Sequence, residues 1–212
     1  MSTQLARTRV PSQGRAVRTR AALLAAAERE FSARGYAATT ARSIAERART
    51  ATGSFYQYFT CKDEALREIA SARQAGVVTR ALAMLEAAME HVGDRAELLR
   101  DVRRRMRTVV DVVMAYHADD PGLHAVITER RHADPELEAL IAEGERQVVE
   151  RIAGLLARWG HAGDPTPTAF VLFGTLEGAV HAHVLGKPVV DDVRFIDALV
   201  EAMIRIASPA SP

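Results

Sequence analysis

Apolar residues recur at three- and four-residue spacing along most of the chain, the period of helices with one buried face. Val17, Ala21, Leu24, Ala27 and Phe31 form the first stripe and predict a helix over residues 15–33, ended by Gly35. Ile44, Ala45 and Ala48 mark a short second helix that the Thr40 hydroxyl can cap, and Phe55 and Phe59, four apart, face inward from a third that starts near Thr52. Lys62 then opens a long helix to about residue 91, with Leu66, Ile69, Ala72, Val77, Leu82, Leu85 and Met89 along its inner side. Gly93-Asp94 breaks the pattern, and a helix over 95–117 follows through Leu98, Val102, Met106, Val109, Val110, Val113 and Met114.

Asp119-Asp120-Pro121-Gly122 predicts a turn, then a short helix over 123–131. Asp134-Pro135 caps another, with Pro135 at its first position and Leu137, Leu140, Ile141, Val148, Ile152 and Leu155 inward. Residues 160–167 read as a loop, and Gly186-Lys187-Pro188 separates two last helices over 168–185 and 191–207. The predicted fold is all-α, about nine helices. A basic arm (1–14) precedes a three-helix head (15–61) and a larger helical body (62–208). The last two helices are apolar around more than one face, which requires a second partner. Pairing with symmetry mates in a four-helix bundle gives a homodimer, and a monomer with a larger core is the alternative.

Composition agrees with this picture. In 212 residues the apolar fraction is 48% and the aromatic fraction 5%, with alanine abundant and few β-branched runs. Charge adds something new. The net of +1 hides a head of +8 over residues 1–62, from 11 Lys and Arg against 3 Asp and Glu, and a remainder of −7. A basic head on an acidic body points to a polyanion partner for the head alone, surface arginines without a partner being the alternative. The basic arm reads either as a disordered tail or as a minor-groove contact. A single cysteine, Cys61, excludes an intrachain disulfide and suits a reducing cytoplasm. No signal-peptide core is seen, no apolar stretch is expected to span a bilayer, and no membrane partner is expected.

Residues 39–59, TTARSIAERARTATGSFYQYF, therefore read as two very short helices around a tight turn, the outline of a DNA-reading helix-turn-helix. With Phe55 and Phe59 inward, Thr52, Gly53, Ser54, Gln57 and Tyr58 point outward and Tyr56 lies at the margin. Hydroxyls, an amide and phenols can contact phosphates and base edges without filling the major groove first. An ordinary surface helix with core aromatics is the alternative. The segments AALLAAAEREFSARGYAATTARSIAERA, TGSFYQYF and CKDEAL, in this order and spacing, resemble the DNA-binding domain of the TetR/AcrR family of transcriptional regulators.

That resemblance implies a homodimer on a double-stranded, roughly palindromic operator, with Arg42 reaching toward bases and Thr40, Tyr56 and Lys62 holding phosphates. It also implies a ligand cavity among the body helices, dimerisation through the last two, and a long linking helix that relays ligand occupancy to the heads. Arg49-Thr50-Ala51 departs from the family's usual Gly-Val-Ser turn. A side chain stands where positive φ is favoured, and the usual capping hydroxyl is missing. Thr50 or Thr52 could take over the cap, or the head could be locally weak.

Candidate chemistry in the body is sparse. Glu177 and His181, four apart, could share a metal or a polar ligand, a hydrogen-bonded buried pair being the simpler reading. No nucleotide-binding glycine loop, nucleophile elbow or HExxH is present. No catalytic residue, metal or cofactor is expected. A pocket for a small, largely apolar effector is expected, walled by Met106, Val110, Met114, Phe170 and Phe173 with polar contacts from His117, Glu177 and His181. Taken together, these features predict a ligand-responsive repressor; a ligand-independent DNA binder and a small helical enzyme are the rivals.

Overall fold

The computed structural model describes residues 14–88, 95–161 and 163–208. The arm before Gly14, the stretch from Met89 to His91 and the Gly93-Asp94 break lie outside the described residues. Those residues form nine helices and no strand: α1 (Gly14–Ala38), α2 (Ala41–Arg47), α3 (Thr52–Tyr56), α4 (Lys62–Ala88), α5 (Arg95–Asp119), α6 (Pro121–Arg131), α7 (Pro135–Arg158), α8 (Thr166–Leu185) and α9 (Asp192–Ala207). The all-α expectation holds. Gly35, inside the span of α1, has φ 74° and ψ 175°, so helical geometry breaks at the glycine expected to end it.

The starts of α6, α8 and α9 fall differently from the sequence expectation. The Asp120 carboxylate accepts from the Leu123 amide at 2.9 Å, and with Pro121 behind it the expected turn becomes the first turn of α6. α8 starts two residues early, after Pro165, and Asp164 accepts from the Thr166 amide at 2.9 Å in the turn that leads into it. Asp191 caps α9 by accepting from the Arg194 amide at 2.9 Å. A fourth expectation is corrected: α8, 20 residues with mean hydropathy 1.3, is long and apolar enough to cross a membrane by length and composition. It forms part of a helical core in this fold, and length alone is weak grounds for a span.

The described residues divide into two compact units. One comprises those through Ala72 together with Asp120–Ile141, around a core of Leu23, Phe31, Ile44, Phe55, Phe59, Leu66, Leu123 and Leu137. Asp120 also accepts from the Ser32 hydroxyl at 2.7 Å, so one carboxylate caps α6 and ties it to α1. The other unit, Arg73–Asp119 with the chain from Ala142 on, packs α5, α8, α9 and the adjoining parts of α4 and α7 around Val110, Val113, Leu172, Val180, Val200 and Met203. Here the ring of His183 stacks on Phe195 at 4.0 Å and its Nε2 lies 2.9 Å from Asp192, joining α8 to α9.

Candidate functional site

The head is built on its buried aromatics. Phe55 and Phe59 are fully buried and 5.3 Å apart, which turns the opposite side of α3 to solvent. Thr52, Gly53 and Gln57 are exposed, Tyr56 is 59% exposed, and Ser54 and Tyr58 are half-buried. The outward row expected from the spacing holds at Thr52, Gly53 and Gln57, whereas Tyr58 packs against the head core and Tyr56, expected at the margin, faces solvent. Thr40 caps α2 reciprocally: its hydroxyl accepts from the Ser43 amide at 3.0 Å, and its own amide donates to the Ser43 hydroxyl at 3.1 Å. Arg42 is exposed and paired to Glu46 at 2.8 Å, a surface ion pair of small worth that a phosphate or base edge could replace.

The turn closes α2 through a left-handed residue that is not glycine. Arg49 sits at φ 55°, the Thr50 amide donates to the Ala45 carbonyl at 2.9 Å and the Arg49 amide to Glu46 at 3.1 Å, a left-handed closure of α2. Ala51 is the N-cap of α3 and supplies no side-chain cap; the Thr50 hydroxyl instead points at the Ala51 carbonyl, 3.4 Å away. Neither Thr50 nor Thr52 takes over the cap, and α3 is left without a side-chain cap. The turn also exposes the Arg49 guanidinium two residues ahead of the α3 cap, a candidate phosphate contact that the sequence reading took only as a source of strain.

Behind α3, Tyr36 is held between two cations. The Lys62 ammonium lies 3.9 Å and the Arg130 guanidinium 4.0 Å from its ring centroid. Its hydroxyl donates to Asp63 at 2.5 Å; burial first and then that carboxylate push its pKa up to about 12. Lys62 donates to the Tyr36 and Thr39 carbonyls at 2.7 and 2.8 Å, so two of its three N–H bonds anchor the chain between α1 and α2.

The second unit contains an apolar cavity of about 80 Å³ lined by residues that include Val77, Leu85, Val109, Ile152, Leu172 and Met203. Of the residues expected there, Met106, Phe173 and Glu177 line it. Val110 is core, fully buried, Met114 packs at the edge of that core, and His117 and His181 stand beside Glu177, outside the lining. Phe170 is 65% exposed on α8. The walls from α4 and α7, Val77, Leu85 and Ile152 among them, were seen in the sequence only as inner faces of helices.

Glu177 is the one ionisable side chain in the lining. Its side chain as a whole is 39% exposed, yet withdrawal of the carboxyl from water against these walls pushes its pKa up to about 7, with the Glu145 charge adding to the rise and His181 opposing it. His117 is 1% exposed, and burial lowers its pKa against the opposing pull of the Val113 carbonyl.

Comparison with known proteins agrees with the geometry. Residues 23–69 match the bacterial regulatory proteins of the tetR family, and residues 101–205 match the tetracyclin repressor-like C-terminal domain. No curated protein matches the chain. Among solved structures, a protein of Mesorhizobium loti MAFF303099 described as a TetR-family transcriptional regulator is similar at 20% identity and TM-score 0.74, over 92% of this chain and 98% of that one. FadR of Bacillus subtilis in complex with stearoyl-CoA is similar at 21% identity and TM-score 0.65, over 87% and 97%. A SmeT–triclosan complex is similar at 22% identity and TM-score 0.62, over 92% and 96%. Two domain matches in the order of the two halves, around an exposed reading helix, carry the conclusion: the chain belongs to the TetR family of transcriptional regulators, DNA-binding proteins that are not enzymes.

Proposed function

We propose that the chain is a cytoplasmic repressor that binds a roughly palindromic operator as a homodimer and leaves it when a small, largely apolar effector occupies the body. The observation that carries the reading is the solvent-facing row of α3, Thr52, Gly53, Tyr56 and Gln57, backed by the buried pair Phe55 and Phe59. On this reading Thr52, Gly53, Ser54, Gln57 and Tyr58 meet base edges with Arg42, while Thr40, Tyr56 and Lys62 fix the register on phosphates. Exposed Phe170, Val171 and Val193 on α8 and α9 supply the pairing face of the dimer.

The cavity bounded by Met106, Phe173 and Glu177 takes the effector, and bound triclosan and stearoyl-CoA in two relatives of the same fold support an apolar one. An effector that prefers the DNA-incompetent conformation lowers operator affinity, and the operator lowers effector affinity by the same factor.

The test is retention of the promoter-proximal DNA of its own gene by purified full-length protein at low salt. Gln57→Ala should change sequence preference. Lys62→Ala should weaken binding to every sequence and reduce the salt dependence by about one phosphate contact. Unchanged binding in both variants overturns the assignment of the head. Compounds that raise the melting temperature should also release DNA; stabilisers without that effect overturn the switch.

A further inference from the structure

The apolar cavity of the second unit has a single charge on its wall. Val77, Leu85, Met106, Leu172 and Phe173 present only hydrocarbon and sulfur to the space, and Glu177 of α8 supplies the carboxylate. Among the described residues the lining holds no lysine, arginine or histidine to answer that charge. The Nε2 of His117 stands 3.6 Å from a Glu177 oxygen, beyond hydrogen-bond length. Burial lowers the pKa of that imidazole, which is therefore neutral at neutral pH and gives Glu177 no counter-charge.

Glu145 of α7 adds negative potential at Glu177, while His181, one turn further along α8, opposes it. Withdrawal from water outweighs both, and it is what pushes the Glu177 pKa up to about 7. A cation that enters on an apolar body removes this penalty. Ammonium on carboxylate is a charge-assisted hydrogen bond, and the apolar walls strengthen it. An anionic ligand meets like charge from Glu177 and Glu145, and a neutral alcohol gains only an ordinary hydrogen bond. Size narrows the class further. An apolar cavity of about 150 Å³ takes a benzene ring. At about 80 Å³ this one suits a chain rather than a ring system, and the flexible Met106 and Met203 in its walls can follow chains of different length.

We propose that the effector is a small aliphatic amine, bound as its ammonium ion with the alkyl chain in the cavity and the nitrogen on the Glu177 carboxylate. The inference rests on the reading of this cavity as the effector site and adds the chemical class of its occupant.

The test compares hexylamine, hexan-1-ol and hexanoate, equal in chain length, by calorimetry on full-length protein at about pH 8, where Glu177 is largely ionised and the amine keeps its proton. Hexylamine should bind at least about tenfold more tightly than the alcohol, and hexanoate more weakly than either. Glu177→Gln keeps the shape and removes the charge, so it should bring amine and alcohol to similar affinity, with a thermal melt confirming the fold. Equal binding of amine and alcohol in the wild type, or an amine preference that survives Glu177→Gln, overturns the amine assignment. Ile152→Phe, which narrows the cavity from a half-buried wall position, separates that failure from failure of the cavity itself. Amine and alcohol that bind alike and are both lost in Ile152→Phe leave the cavity as effector site with another class of occupant. No binding of any of the three, or binding indifferent to Ile152→Phe, overturns the cavity reading and the amine with it.

Discussion

A β-carbon on Gly122 would stand 2.4 Å from the backbone oxygen of Ser32. The first turn of α6 therefore presses on the backbone of α1, in the place where the Asp120 carboxylate meets the Ser32 hydroxyl. A side chain here must push backbone, not a flexible tip. Gly122→Ala is expected to destabilise the protein by about 1–3 kcal/mol, the overpacking cost exceeding alanine's helix preference of about 1 kcal/mol. Gly76, mid-way along α4, has nothing within 4 Å of such an atom. Gly76→Ala should stabilise by about 0.5–1 kcal/mol, and urea midpoints of the two variants should move in opposite directions.

The head stores strain at Arg49 and lacks a side-chain cap at Ala51. The chain ends α7 with the same closure as α2, but there the left-handed residue is Gly160 at φ 83°, where α2 has Arg49 at φ 55°. Arg49→Gly should relieve about 1–2 kcal/mol of backbone strain, partly offset by glycine's greater freedom in the unfolded chain, for a net gain of about 0.5–1 kcal/mol. It should also weaken DNA binding, because it deletes an exposed cation at the turn. Ala51→Ser should give α3 the cap it lacks and stabilise by about 1 kcal/mol without that loss. Thermal melts read beside DNA titrations separate the two effects; a gain in both stability and affinity for Arg49→Gly would refute the phosphate role.

Acid should loosen the first unit through two buried carboxylates. Burial alone would raise the pKa of Glu30, but Arg47 at 2.5 Å, Ser43 and Arg34 outweigh it and hold the pKa below the ordinary 4.5. Asp134 is likewise held below 3.8, where burial is outweighed by Arg67 at 2.9 Å and by the Leu137 and Glu136 amides. A depressed carboxyl stabilises the fold above its unfolded pKa, and that contribution is lost as pH falls through the folded value. The melting temperature should therefore hold down to about the ordinary values and fall below them. Glu30→Gln and Asp134→Asn should be less stable at neutral pH and flatter in acid; variants as steep as the wild type would exclude these groups as the cause.

What the sequence disclosed, and what it withheld, divides along local and long-range lines. The nine helices, the Thr40 cap and the outward row of α3 follow from spacing within a few residues. Arg49 announced its strain because the turn itself is local. Gly122 read as a turn residue, since nothing in Asp120-Pro121-Gly122 reveals that Ser32, ninety positions earlier, closes on it. Lys62 read as a phosphate ligand alone, because its carbonyl partners at Tyr36 and Thr39 are supplied by the tertiary fold. In α8, apolar on every side, periodicity cannot rank faces: Phe173 lines the cavity while Phe170, three residues earlier, is exposed.

That exposed side of α8 supplies the last prediction. Phe170 is 65% and Val171 49% exposed near the start of α8, and Val193 is 62% exposed at the start of α9, apolar side chains that isolated chains would leave in water. If pairing of α8 and α9 covers them, Phe170→Glu places a charge in a desolvated contact, and loss of an aromatic anchor costs about 2 kcal/mol or more, at least about thirtyfold in the dimer dissociation constant. Sedimentation at micromolar concentration should show wild-type dimers and variant monomers with unchanged helical content. Operator affinity should fall with the dimer, since a monomer engages one half-site and loses the effective concentration of the second head. A Phe170→Glu protein that stays dimeric would move the interface elsewhere, and one that is monomeric yet binds the operator at wild-type strength would remove the need for paired heads.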